Sequence, residues 1–170
     1  MTTTYSVRWA TVQDIPALVA YRRAMFESMG VQDAGVLERM CAAMATYLEQ
    51  ALPSEEYLGW VAEAGGEVIA SGGAVIHRLP PGPRNMDGRE GYLMNIYTVP
   101  EWRGRGVATA VVQTILDYLH ANGIPVATLH ATPAGRPIYE HLGFQDTNEM
   151  RLVLKNGLVA ARQPVSEAAH

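Results

Sequence analysis

The chain has 170 residues, 48% of them hydrophobic, a single cysteine and a formal net charge of −4. That length supports one domain with its own core and is short for two, and the scattered basic residues exclude the concentrated positive patch that a general nucleic-acid binder needs. Cys41 alone cannot form an internal disulfide and fits a reducing compartment; with no signal-like start and no apolar run of about 20 residues, a cytoplasmic location away from membranes is expected.

Residues 5–10 alternate like a strand, and Thr11 and Asp14 supply caps for a helix reaching about residue 29, with Pro16 tolerated only in its first turn. Asp33 caps a second helix, where Leu37, Met40, Cys41, Met44 and Leu48 recur at helical spacing as one apolar stripe. Cys41 is there a packing residue, because an acyl-cysteine intermediate would need a base partner that the sequence does not identify. Residues 58–64 and 67–76 read as antiparallel strands joined at Gly65-Gly66. The prolines and glycines of residues 79–88 cannot sustain a ladder and predict a long surface loop, either bordering a substrate site or simply connecting.

Residues 91–99 form the next strand, and a helix over 106–122 follows with Ala108, Val111, Val112, Ile115 and Leu119 on one face and Gly123 at its end. A strand at 126–131, a short helix at 136–142 and a last strand at 149–155 complete a domain of residues 1–157, with a polar tail at 158–170. This order predicts an α+β fold: a mixed sheet, mostly antiparallel, flanked by helices, with one right-handed strand–helix–strand unit that makes a parallel pair.

The sharpest feature is the passage Tyr97-Thr98-Val99-Pro100-Glu101-Trp102-Arg103-Gly104-Arg105-Gly106-Val107-Ala108, a strand ending in a glycine-rich turn from which a helix starts at once. Gly104 and Gly106 can take positive φ and let an anion reach the backbone N–H groups of a helix N-terminus, where the dipole and the two arginines add positive potential. The turn lacks the Gly-Lys-Ser/Thr of a Walker loop, and Ala110 stands where a dinucleotide fingerprint needs glycine, which disfavours a nucleotide binder of another fold. After the helix and a strand comes Thr132-Pro133-Ala134-Gly135-Arg136-Pro137-Ile138-Tyr139-Glu140-His141-Leu142-Gly143-Phe144.

The order of strand, Arg-Gly-Arg-Gly turn, helix, strand and Tyr-Glu-x-Leu-Gly-Phe resembles the GNAT superfamily of acetyl-CoA-dependent N-acetyltransferases over residues 92–144, and residues 7–15 resemble its first strand and the start of its first helix. The resemblance implies a GNAT-type fold and acetyl transfer from acetyl-CoA, a cosubstrate, to a small-molecule or peptide amine in a ternary complex, without a metal; homodimers are common among its members. It places the coenzyme diphosphate on the backbone of Arg103, Gly104, Arg105, Gly106, Val107 and Ala108, and the pantetheine along Ile96, Tyr97 and Thr98. It also implies a backbone donor to the acetyl oxygen at Met94, with Thr132 and Gly135 nearby; Thr132 stands where most members have asparagine.

Tyr139 takes the place of the family tyrosine that serves the coenzyme sulfur, and Glu90, by count from the glycine turn, that of the glutamate base of the histone-acetylating branch. Phe26 and Glu27 on the first helix, Asn95, and His130 beyond the strand that diverges from 91–99 are implied to contact the acceptor. Helical spacing explains the first two equally well as core, and Asn95 and Tyr97 as satisfied polar groups under the helices. No His, Cys, Asp and Glu grouping has metal-ligand spacing. A non-catalytic acyl-CoA-binding module is the competing class.

Overall fold

Along the second strand, Trp60 and Ala62 face one way and Val61 the other, and all three are buried, so the sheet is covered on both faces. The computed structural model describes residues 4–155 and 158–159. Five strands, β1 (Ser6–Trp9), β2 (Leu58–Ala64), β3 (Glu67–Arg78), β4 (Arg89–Thr98) and β5 (Val126–Leu129), lie in the order β1-β2-β3-β4-β5. The first three pairings are antiparallel and β4–β5 is parallel, the mixed α+β architecture that the order of elements predicts.

Two apolar clusters sandwich this sheet. On one face α1 (Ile15–Ser28) and α2 (Ala34–Ala51) bring Ile15, Leu18, Met44 and Leu48 against Tyr57 and Val61. On the other, α3 (Val107–Ala121) packs Val107, Val111, Val112, Ile115 and Leu119 onto Trp60, Ala62, Ala70, Ala74 and Leu93. The α3 side chains recur every three or four positions, so the amphipathic stripe read from the sequence is the one buried. At the β1 end of this cluster Trp9 stacks on Trp60 with ring centroids 4.3 Å apart. No helix of the described residues is long and apolar enough to cross a membrane.

The helix expected from residues 11–14 onward begins as a single 3-10 turn, Val12–Asp14, before α1 starts at Ile15. Thr11 and Asp14 form a reciprocal capping box there, and the Asp14 carboxylate also receives both Arg8 Nη groups at 2.9 and 3.0 Å. The Arg8 guanidinium holds the buried Asp14 carboxyl below its ordinary range. A depressed acid stabilises the fold above its unfolded pKa, near 4, and that contribution is lost as pH falls through the folded value. Asp14→Asn is therefore expected to lower stability at pH 7 by about 1 to 3 kcal/mol, with wild type and variant converging as pH falls through the folded value; urea titrations at neutral and acidic pH measure it.

The strand expected at 149–155 is reduced to β6 (Leu154–Lys155), paired with β7 (Leu158–Val159). Upstream, Arg136 binds Asp146 at 2.7 Å and Arg151 binds His130 at 2.8 Å. Residues 145–149 and Arg151 line a cleft and pair with no strand among the described residues. Of the expected tail, all but Leu158 and Val159 lies outside the described residues.

Candidate active site

The site begins with one surplus residue. On β3–β4 the register runs from Gly73 opposite Met94 to Ser71 opposite Tyr97, so three steps on β4 face two on β3, which is a β-bulge. Asn95 sits in it with φ 57°, in the left-handed region. The bulge keeps Met94 and Asn95 on the α1/α2 face, where Met94 packs against that core and Asn95 meets Tyr57 and Arg22, while Ile96 packs on the α3 side.

Just before the bulge, pairing between β4 and β5 stops at Leu93 opposite Leu129. The β4 edge from Met94 to Thr98 therefore borders a gap where a further strand could lie. Thr98 Oγ1 is buried at the end of this edge without a hydrogen-bond partner among the described residues.

A 3-10 turn, Pro100–Trp102, carries the chain from β4 to the glycines. Gly104 and Gly106 have φ of 71° and 78°, and Gly106 opens α3 with no side-chain cap. The first N–H groups of α3 thus lack partners within the helix, and the space beside both glycines is open, since a Cβ on either would meet nothing within 4 Å. An anion fits that space on chemical grounds, with several aligned donors at the positive end of a 15-residue helix. Arg103 folds back, its Nε donating to the Thr98 carbonyl at 3.0 Å and its guanidinium lying over Tyr97, and Arg105 covers the Trp102 ring at 5.1 Å. Val107 is buried, so only its backbone faces this turn, with Ala108 next along the helix.

At the other end of the gap a cleft of about 800 Å³ is bounded by Glu90, Thr128, His130, Arg136, Tyr139 and the segment through Arg151. Glu90 and Thr128 come from neighbouring parallel strands, and the Thr128 hydroxyl donates to Glu90 Oε1 at 2.6 Å. Tyr139 reaches the cleft from α4 (Arg136–His141), which Pro137 starts. Its ring lies so close to Gly135 that a Cβ there would come within 3.2 Å of it. Burial raises the Tyr139 phenol above its ordinary pKa, so the group is a hydrogen-bond donor throughout the neutral range. The Thr132 hydroxyl accepts from Gly135 N at 3.2 Å and so serves the start of α4.

His130 is held on both sides. Arg151 Nη2 stands 2.8 Å from Nε2 and the Tyr92 hydroxyl 2.6 Å from Nδ1. A guanidinium only donates, so in the neutral ring Nε2 accepts from Arg151 and Nδ1 donates to the Tyr92 hydroxyl, which engages the ring's single lone pair. The structure thus gathers Glu90, His130 and Tyr139 in the cleft and Met94 through Ala108 along the gap and its anion turn. Phe26 lies under the Arg22 guanidinium at 5.1 Å, whereas Glu27 is exposed and paired with Arg23 along α1 at 2.8 Å, on solvent rather than on the cleft. Arg22, Tyr57, Tyr92 and Thr128 escaped sequence reasoning, since each acquires its partner through cross-strand register or helix docking.

The family described as "Acetyltransferase (GNAT) family" matches residues 23–144. Among solved structures, a GCN5-related N-acetyltransferase from Ralstonia eutropha JMP134 superposes with a TM-score of 0.82 at 32% identity, over 89% of this chain and 99% of that one. A predicted acetyltransferase from Clostridium acetobutylicum, solved with acetyl-CoA, gives 0.78 at 29% identity over 89% and 96% of the two chains. N-acetyltransferase 8 of Rattus norvegicus is 29% identical over 103 residues, 59% of this chain and 45% of that protein, so the chain spans about half the length of the curated relatives it matches. The split between β4 and β5, the uncapped glycine turn and these likenesses lead to one assignment: this chain belongs to the GNAT acetyltransferase family.

Proposed function

We propose that the chain moves an acetyl group from acetyl-CoA to a primary amine of a small molecule or peptide by direct attack within a ternary complex. The observation that carries the reading is the continuity of the anion turn at Gly104 and Gly106 with the unpaired edge of Met94–Thr98, which together fit a diphosphate followed by an extended arm. When bound, acetyl-CoA supplies the activated thioester. Backbone N–H groups of residues 103–108 hold the diphosphate, the β4 edge pairs with the arm, and the Met94 N–H stabilises the negative oxygen of the tetrahedral intermediate. Glu90 takes the amine proton, directly or through water. As the new C–N bond forms and the C–S bond breaks, Tyr139 donates to the departing sulfur.

Thiol release from acetyl-CoA across a panel of amines tests the reading, with intersecting initial-rate lines expected for the ternary complex and parallel lines for an acyl-enzyme. Saturable acetyl-CoA binding with no thiol release from any amine would leave an acyl-CoA-binding module instead. Tyr139→Phe keeps the ring against Gly135 and removes only the hydroxyl. It is expected to slow single-turnover acetylation roughly 10- to 100-fold while acetyl-CoA affinity stays within about twofold. A variant as fast as wild type would make Tyr139 a packing residue.

A further inference from the structure

Arg22 is a cation with an incomplete set of partners. It is half-buried on the α1 face that meets β4, and its Nη1 donates to Asn95 Oδ1. Arg8, Arg23, Arg89 and Arg136 each pair with a carboxylate, but among the described residues no Asp or Glu pairs with Arg22. A guanidinium has five N–H donors in a planar fork suited to a carboxylate, and taking it partly out of water without an anion is unfavourable.

Its orientation is built into the fold. Tyr57 is 1% exposed, and its hydroxyl fits only because residue 73 is glycine, where a Cβ would stand 2.1 Å away. Asn95 Nδ2 donates to that hydroxyl at 3.0 Å. Because Arg22 can only donate, the Asn95 amide must turn its oxygen to the guanidinium and its nitrogen to Tyr57. Ser71 Oγ donates to the Asn95 carbonyl at 3.2 Å and fixes the bulge from the other side. Burial pushes the Tyr57 phenol up to about 12, against the opposing effects of its Asn95 hydrogen bond and the nearby Arg22 charge, so it stays a neutral hydroxyl in this network.

We propose that Arg22 binds a carboxylate carried by the acceptor, so that the acceptor is an amine that also carries an acid group, of which an amino acid is the simplest case. The inference rests on the acetyl-transfer reading, which puts the reacting carbonyl at Met94. Met94 and Asn95 are consecutive and the bulge turns both side chains to the α1/α2 face. The Arg22 guanidinium, tied to Asn95 Oδ1, therefore stands on the face onto which the Met94 and Asn95 side chains project, beside the strand residue that would carry the reacting carbonyl. A bidentate guanidinium–carboxylate pair there would orient the amine as well as bind it.

The test compares L-amino acids with their carboxamides as acceptors, for wild type and Arg22→Gln, by thiol release. Glutamine keeps an uncharged N–H donor on a shorter side chain, so a melting temperature measured beside the kinetics separates loss of the charge from loss of the tie to Asn95. Wild type is expected to prefer acids over amides by about tenfold or more in kcat/KM. Arg22→Gln should lose that preference through a raised KM for the acids alone, and Arg22→Lys should restore part of it. Equal use of acids and amides by wild type, a preference that survives Arg22→Gln, or a lowered melting temperature with all acceptors slowed alike would each overturn the inference and leave Arg22 a structural tie. If no amine of either kind releases thiol, the acetyl-transfer reading fails first, and the inference with it.

Discussion

Gly106→Val is expected to reduce acetyl-CoA affinity by at least about a hundredfold in a protein that still folds. The two effects separate because the glycine is special in only one of two ways. Its φ of 78° is strained for a side chain, yet no atom lies within 4 Å of where a Cβ would stand. The folded chain therefore bears only the left-handed backbone penalty, about 1 to 2 kcal/mol, against a typical stability of roughly 5 to 15 kcal/mol. The space that the valine fills is the approach to the unpaired N–H groups of α3, so loss falls on the anion. Calorimetric titration together with a thermal melt decides the matter: unchanged affinity in the folded variant would remove the turn from the coenzyme site.

Glu90→Gln is expected to lower the acetylation rate roughly a hundredfold with acetyl-CoA affinity retained. The amide oxygen can still accept the Thr128 hydroxyl at the position of Oε1, which keeps the local geometry while removing the proton acceptor. Single-turnover acetylation by wild type and variant, compared at one pH and saturating acetyl-CoA, measures the loss. Should the variant keep the wild-type rate, the base lies elsewhere, and in this geometry His130 first has to release Arg151.

Sequence reasoning reached furthest where the signal is local. Gly65-Gly66 marked the β2–β3 hairpin, Asp33 does cap α2 through Val36 N, and the α3 stripe is buried from Val111 to Leu119 as read, with Val107 in place of Ala108 at its start. The glycine turn was legible because its conformation is a property of its own residues. The bulge was not, since an extra residue in a strand has no composition of its own and shows only against the opposite strand. For the same reason Asn95 reads equally as a pocket polar group or a satisfied one; its partners, Tyr57 and Arg22, are 38 and 73 residues away in sequence. The strand pattern at residues 149–155 was local too, but a strand needs a partner, and among the described residues only Leu154 and Lys155 have one.

The placement of the three tryptophans bears on how binding can be watched. Trp9 and Trp60 are stacked on each other at the β1 end of the sheet, whereas Trp102 stands at the anion turn with Arg105 across its face and Tyr5 against it, ring centroids 6.2 Å apart. A cation over an indole perturbs its excited state, and an anion that recruits Arg105 removes that perturbation. Trp102 emission is therefore expected to change when an anion that draws Arg105 from its face fills the turn, with the stacked Trp9–Trp60 pair as internal reference.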